Sequence, residues 1–134
     1  MKNKAVFWLK LSFIIGAIVD GLALVPMVIP WAAKIFWGLD VFTGSYYYAP
    51  GMGASLMLGW TVLLLWAYRK PLERRFIALF TIIIITGIGL TEITLVSLDY
   101  ISLKSVLPSL VIQAVLLVLF SYSFVLSGRL EAKA

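Results

Sequence analysis

Four polar side chains interrupt long apolar stretches of the sequence, and their types are suited to binding a proton or a cation. They are Asp20, Ser55, Glu92 and Gln113. An acidic residue at the centre of a membrane helix costs about 2.5–3.5 kcal/mol on insertion scales, so such residues usually face other helices and find partners. Two carboxyl groups that approach each other in a low dielectric cannot both ionise cheaply. We therefore expect a site for a proton, a cation or a small amphipathic, protonatable ligand.

The positions of these residues in their apolar stretches predict a shared depth. At a rise of 1.5 Å per residue, Asp20 lies about 20 Å and Glu92 about 24 Å from the ends of the stretches that carry the basic residues. Gln113 and Ser55 fall at about 20 Å on the same scale. One polar residue on each helix at a similar depth indicates a single polar cluster. Depth does not fix the rotation of a helix about its axis.

Small residues indicate which faces of these helices pack closely. Ser55 has a glycine four residues away on each side, Gly16 precedes Asp20 by four, and Gly89 lies one turn before Glu92. Small residues repeated every four positions allow helix backbones to approach. We therefore expect Ser55, Asp20 and Glu92 to lie on packed faces. The alternative is that the two carboxyl groups are polar contacts that only hold the helices together, which average about 0.6 kcal/mol each in one measured case.

The composition indicates whether the helices are surrounded by water or by lipid. Of 134 residues, 63% are hydrophobic and 13% are charged, whereas soluble domains are about half apolar and a quarter charged. The apolar residues fall in runs of about 20, the length needed to cross a bilayer core of about 30 Å. Continuous apolar runs predict helices, since membrane strands alternate apolar and polar residues. The sequence predicts one all-α transmembrane domain over residues 1–134, an integral membrane four-helix bundle with antiparallel neighbours and helices at about 6–29, 51–68, 76–98 and 106–127.

The distribution of basic residues predicts the orientation of the bundle. Nine of the eleven Lys and Arg residues flank the ends that carry the termini and the turn at 69–75, and only Lys34 and Lys104 lie at the other end. Because basic residues concentrate on the cytoplasmic side, we expect both termini to be cytoplasmic. The connection at 31–50 is rich in Trp, Phe and Tyr and includes Asp40, Phe42 and Tyr46. Such a segment typically lies in the outer membrane interface, although it could also form a lid over the bundle.

Several classes of function are excluded or disfavoured. The chain has no Cys and no His, which removes thiolate nucleophiles, haem ligation by these residues and the usual zinc sites. We expect no cofactor, no metal and no catalytic residue. The net charge of +5 comes from residues that flank apolar segments, and so does not indicate nucleic-acid binding. Two carboxyl groups could support acid–base isomerisation, yet nothing else in the sequence favours an enzyme.

The run from Gly59 to Arg75, GWTVLLLWAYRKPLERR, resembles a pattern in small four-span prokaryotic membrane proteins. That resemblance implies a multi-pass protein of the prokaryotic plasma (inner) membrane and carries no activity. In size and helix count the chain is also similar to small multidrug resistance transporters, which use an acidic residue in their first helix as the proton and cation site. Asp20 would be the matching position, where members of that family carry Glu.

Two functions from different classes follow from these features. The first is a small transporter that binds a proton, a cation or an amphipathic ligand at Asp20 and Glu92, with Gln113 and Ser55 nearby. It would work as a homo-oligomer, because one four-helix unit encloses little volume. The second is a non-catalytic accessory or assembly subunit of a larger membrane complex. In both cases the lipid bilayer is a partner.

Overall fold

Helices make up almost all of the described chain. The computed structural model describes residues 2–38 and 44–131, without the side chains of residues 37, 44–46, 130 and 131. Asp40, Phe42 and Lys133, and the side chain of Tyr46, lie outside this part. The helices are α1 (Lys2–Val28), α2 (Pro30–Trp37), α3 (Gly44–Arg69), α4 (Phe76–Ser97) and α5 (Leu103–Glu131).

Helices α1, α3, α4 and α5 are each long and apolar enough to cross a membrane. The shortest, α4, has 22 residues, which is about 33 Å at 1.5 Å per residue. At most 28% of each apolar span is buried inside the chain, so most of its apolar surface needs lipid. The prediction of an all-α protein with four helices able to span a membrane is confirmed, and these helices indicate a multi-pass membrane protein.

The helices extend further than the apolar stretches alone suggested. Helix α1 begins at Lys2 rather than at residue 6, α3 begins at Gly44 rather than 51, and α5 runs from Leu103 to Glu131 rather than over 106–127. Apolar runs report the thickness of the hydrocarbon core, whereas a helix keeps its own backbone hydrogen bonds on either side of that core. The predicted connection at 31–50 therefore contains α2 and the first two turns of α3.

Helix α1 is the central element of the bundle. It packs antiparallel against α3 on one side and α5 on the other, while α4 packs on α5 and has little contact with α1. Along the described residues, α3 and α4 do not pack on each other, although only residues 70–75 join them. The expected packing of sequential spans as neighbours holds for α1 with α3 and for α4 with α5, and does not hold for α3 with α4. The reason is that α1 lies between α3 and the α4–α5 pair.

The core lies along α1, between α3 on one side and α5 with the first half of α4 on the other. Leu9, Phe13, Leu64 and Phe120 are fully buried there. Gly16 allows this contact, because a Cβ atom at this position would lie only 2.8 Å from Cζ of Phe120 and 3.3 Å from Cδ1 of Leu64. The buried Gly16 confirms that the small residues before Asp20 mark a packed face of α1.

A pair of buried hydroxyl groups joins α1 to α5. Ser12 and Ser123 are both fully buried, and Oγ of Ser12 donates to Oγ of Ser123 at 3.0 Å. Each hydroxyl also lies beside a backbone carbonyl oxygen, Ser12 beside that of Trp8 at 2.8 Å and Ser123 beside that of Phe120 at 2.9 Å, so the single proton of Ser12 is shared between Ser123 and the Trp8 carbonyl. Both hydroxyls are therefore satisfied within the protein, which is the requirement for a buried polar group in an apolar medium.

The two ends of the bundle differ in character. At the end that carries the termini, the guanidinium of Arg74 lies 3.3 Å from the centroid of the Trp66 ring and donates to the Trp66 carbonyl. This contact closes the tight turn at 70–75, where Pro71 lacks the backbone donor that a continuing helix would need. At the opposite end α1, α3 and α5 each contain an internal proline, at Pro26, Pro50 and Pro108. Each proline removes one backbone hydrogen bond from its helix.

Candidate functional site

The carboxyl group of Glu92 is held by two side chains of α5. Oγ of Ser109 lies 2.7 Å from Oε1 of Glu92, and Nε2 of Gln113 lies 3.0 Å from Oε2. Nε2 of Gln113 also lies 2.9 Å from Oγ of Ser109. Ser109 and Gln113 are four residues apart on α5 and so project from one face of that helix. The Glu92 cluster, as we name Glu92, Ser109 and Gln113, joins α4 to α5 with every member bonded to another.

Gly89 gives this cluster its space. A Cβ atom at Gly89 would lie 2.8 Å from Oε1 of Gln113. The Gln113 amide therefore rests against the bare backbone of α4, one turn from Glu92. The predicted inward position of Glu92 agrees with its half-buried side chain and with the buried Thr81 and Ile85 earlier on the same helix.

Asp20 has a different environment from Glu92. It lies one turn beyond Gly16 on the packed stripe of α1 and is half-buried. Its carboxyl group has no hydrogen bond or ion pair with any residue in 2–38 or 44–131. No basic residue lies between Lys10 and Lys34 on this part of the chain. Asp20 thus carries a half-buried acceptor group that the described residues do not use.

The contacts between α1 and α3 identify the residue opposite Asp20. Nζ of Lys10 lies 5.1 Å from the centroid of the Tyr68 ring, Leu64 packs over Gly16, and Sδ of Met27 lies 3.9 Å from the Cβ position of Gly53. The antiparallel register that these contacts define pairs position 20 of α1 with position 60 of α3. Trp60 occupies that position.

Trp60 contributes a second unused polar group. Its ring packs against the core cluster, and its Nε1 atom is buried without a hydrogen-bond partner among the described residues. The contacts between α1 and α5, such as that of Phe13 with Phe120, place Gln113 at a similar level. The helix registers thus give Asp20, Trp60 and the Glu92 cluster a similar depth, which we call the layer, and Asp20 and Glu92 are not hydrogen-bonded to each other.

Ser55 does not lie in this layer. It is exposed on α3, and its hydroxyl donates to the carbonyl of Gly51 in its own helix at 3.0 Å. In the α1–α3 register it lies five residues beyond Trp60, about 7.5 Å further from the end that carries the termini. The expectation that glycines at both sides put Ser55 on a packed face is wrong, because a Cβ at Gly51 or Gly59 would meet no atom within 4 Å.

Ser109 and Trp60 also lie at this level, and neither is among the four predicted site residues, Asp20, Ser55, Glu92 and Gln113. Ser109 carries a detectable signal, since it precedes Gln113 by four residues and both are polar in an otherwise apolar helix. Trp60 carries a weaker one, because a tryptophan in the middle of a span is most often a core or lipid-facing ring. Its unpartnered indole N–H becomes visible only in the packed structure.

The chemistry open to the layer is that of hydrogen bonding and charge. Among the described residues no group of three or more Asp or Glu side chains comes together that could hold a metal ion. A lone carboxyl group in an apolar surrounding can accept a proton or pair with a cation. The neighbouring indole N–H can donate one hydrogen bond.

Comparison of the chain with protein-family models, with curated proteins and with solved structures gave no match. Its four long apolar helices define the class as a multi-pass, all-helical membrane protein.

Proposed function

We propose that the protein binds a proton or a small organic cation at Asp20 and acts as a small transporter of the prokaryotic plasma membrane. The observation that carries this proposal is the half-buried carboxyl group of Asp20, which has no partner in the described chain. An acidic group in a membrane span persists at a considerable insertion cost. A proton or a cation would offset that cost, and the two would compete for the same oxygen atoms.

The two intramembrane carboxyl groups take different roles in this proposal. Both oxygens of Glu92 are occupied by Ser109 and Gln113, so we assign Glu92 to holding α4 against α5. Asp20 is the binding group, because its oxygens are not engaged. Gln113 bonds to Glu92 and lies at a level similar to that of Asp20.

The orientation is part of the proposal. Of the basic residues in the described chain, Lys2, Lys4, Lys10 and those of the turn at 69–75 lie at the end that carries the termini. Their excess supports a cytoplasmic location of that end. The chain has no Cys, so single cysteines give an unambiguous test. Ser102 lies in the connection between α4 and α5, and Asn3 lies in the first turn of α1. A membrane-impermeant maleimide added to intact cells should label Ser102→Cys and leave Asn3→Cys unlabelled, and the reverse pattern would refute the orientation.

The binding proposal is tested with benzyltrimethylammonium, an aromatic cation without a hydrogen-bond donor. Isothermal titration of the detergent-solubilised protein should show binding that weakens as the pH falls, because protons compete for Asp20. Asp20→Asn should abolish this binding. Asp99→Asn is the matched control, since Asp99 is exposed beyond the end of α4 and should leave binding unchanged. Equal binding by the parent protein and Asp20→Asn would refute the proposal.

Transport requires a second measurement. In vesicles that contain the protein, an outward gradient of the cation should drive proton uptake, and Asp20→Asn should remove that flux. We propose that the transporting unit is a homo-oligomer, since one bundle of this size encloses little space between its helices. Recovery of the protein from native membranes in a stable complex with other chains, together with absence of flux, would instead support an accessory subunit.

A further inference from the structure

The indole N–H of Trp60 is a hydrogen-bond donor that the described chain leaves unsatisfied. Nε1 is buried, and no described acceptor lies within hydrogen-bonding reach. A buried tryptophan N–H usually has a partner, because leaving a buried donor unpaired carries its full desolvation penalty. The Trp60 N–H therefore requires an acceptor that the described residues do not supply.

Trp60 and Asp20 lie on facing stripes of α3 and α1. Leu64 packs over Gly16, and Trp60 and Asp20 are each one helical turn from that contact, toward the same end of the bundle. Packed helices have axes about 8–10 Å apart, so one small ligand can span from a side chain of one helix to a side chain at the same level of the other. An unused donor and an unused carboxyl group thus stand at one level of one interface.

We propose that the ligand of the Asp20 site is an organic ammonium ion that carries a hydrogen-bond-accepting oxygen a few bonds from its nitrogen. The Asp20 carboxylate would pair with the ammonium group, and the Trp60 N–H would donate to the oxygen. This inference rests on the proposed function, since it names the substrate class of the same site. It also adds Trp60 as a residue that determines specificity.

Surrounding residues fit the remaining part of such a ligand. Trp60 packs against an apolar core in which Leu64 is fully buried, and Met27 lies further along the same α1–α3 interface, against Gly53. These side chains offer no polar group to the ligand. The site therefore pairs two polar points with an apolar wall, which favours a ligand whose nitrogen and oxygen are close together and whose remainder is apolar.

The test uses two cations that differ in one atom. Benzyl(2-hydroxyethyl)dimethylammonium carries the oxygen, and benzyldimethylpropylammonium has a methyl group in its place. The parent protein should bind the hydroxyl probe about three- to tenfold more tightly, the ratio given by one net hydrogen bond. Trp60→Phe keeps an aromatic ring and removes the N–H, so it should lower the affinity for the hydroxyl probe to that for the propyl probe. Trp66→Phe is the matched control on α3, because Trp66 is exposed and lies six residues beyond Trp60, toward the turn at 70–75.

Binding of the propyl probe to Trp60→Phe shows that this variant still folds and keeps its carboxylate site. Equal affinity of the parent protein for the two probes would overturn the inference and leave the proposed function standing. A preference for the hydroxyl probe that persists in Trp60→Phe would also overturn the inference and leave the proposed function standing. Loss of the hydroxyl preference in Trp66→Phe as well as in Trp60→Phe would also overturn it. Unchanged binding of both probes by Asp20→Asn would instead refute the proposed function.

Discussion

Replacing Gly16 with alanine should destabilise the bundle by about 1–3 kcal/mol relative to the same change at Gly21. A Cβ atom at Gly16 would lie 2.8 and 3.1 Å from two carbons of the Phe120 ring and 3.3 Å from Cδ1 of Leu64. Carbon atoms in contact prefer about 3.5–4.0 Å, so the ring would have to retreat by several tenths of an ångström. Phe120 is fully buried between α1 and α5 and cannot move without shifting a helix.

Gly21 supplies the reference for this measurement. It lies on the same helix, and a Cβ atom there would meet nothing within 4 Å. The gain in helix propensity from glycine to alanine, about 1 kcal/mol, is similar at the two positions and cancels in the difference. Equilibrium unfolding in mixed micelles with increasing dodecyl sulfate gives both free energies. Equal stability of Gly16→Ala and Gly21→Ala would refute the packing of α1 against Phe120, and partial recovery in Gly16→Ala with Phe120→Leu would support it.

Three further changes test other contacts. Ser12→Ala should lower the unfolding free energy by about 0.5–1.5 kcal/mol in the same assay. Ser127→Ala should lower it less, since the Ser127 hydroxyl bonds only within its own helix. Equal losses would contradict a role for the Ser12–Ser123 pair between α1 and α5. Glu92→Leu should speed hydrogen exchange of the α4 amides while Glu92→Gln, which can still accept and donate, preserves protection. Thr91→Leu is the control, because Thr91 is exposed at the same depth, and it should leave exchange unchanged. Exchange in Glu92→Leu as slow as in the parent protein would refute the link from α4 to α5. Asp99→Val should lower the unfolding free energy in micelles by about 1–2 kcal/mol relative to Asp99→Gly. The φ angle of this residue is 57°, a left-handed conformation that glycine adopts more easily than valine. Equal stability of the two variants would show that this backbone conformation is not needed.

The spanning helices were predictable because a bilayer imposes a length and a polarity on every segment that crosses it. The shared depth of Glu92 and Gln113 was predictable on similar grounds, and the Glu92 cluster shows that they do meet, whereas Ser55 lies about 7.5 Å away from the predicted level. Both properties follow from distance along a helix, which a sequence records directly.

The rotation of each helix about its axis and the choice of the helices that pack side by side were not predictable in the same way. Glycines at Gly51 and Gly59 indicated a packed face for Ser55, yet that face lies open. Small residues permit close approach without requiring it, and the contact is decided by the side chains of the other helix. At Gly16 the Phe120 ring fills the space, whereas at Gly59 no side chain does. Helix order also escaped prediction, because the short turn at 70–75 constrains one end of α3 and α4 and leaves the rest free.

The contact of α1 with α5 has a consequence for how the protein is made. Ser12 donates to Ser123, 111 residues later in the chain, and Phe13 contacts Phe120 at the same interface. Because α1 leaves the ribosome before α5, the α1 face that packs on α5 stays uncovered, with its Ser12 hydroxyl bonded only to its own helix, until α5 enters the membrane. The α1–α5 interface therefore forms only after residue 103 has been made, and a nascent chain that stalls earlier would present an unpaired α1 face to the insertion and quality-control machinery.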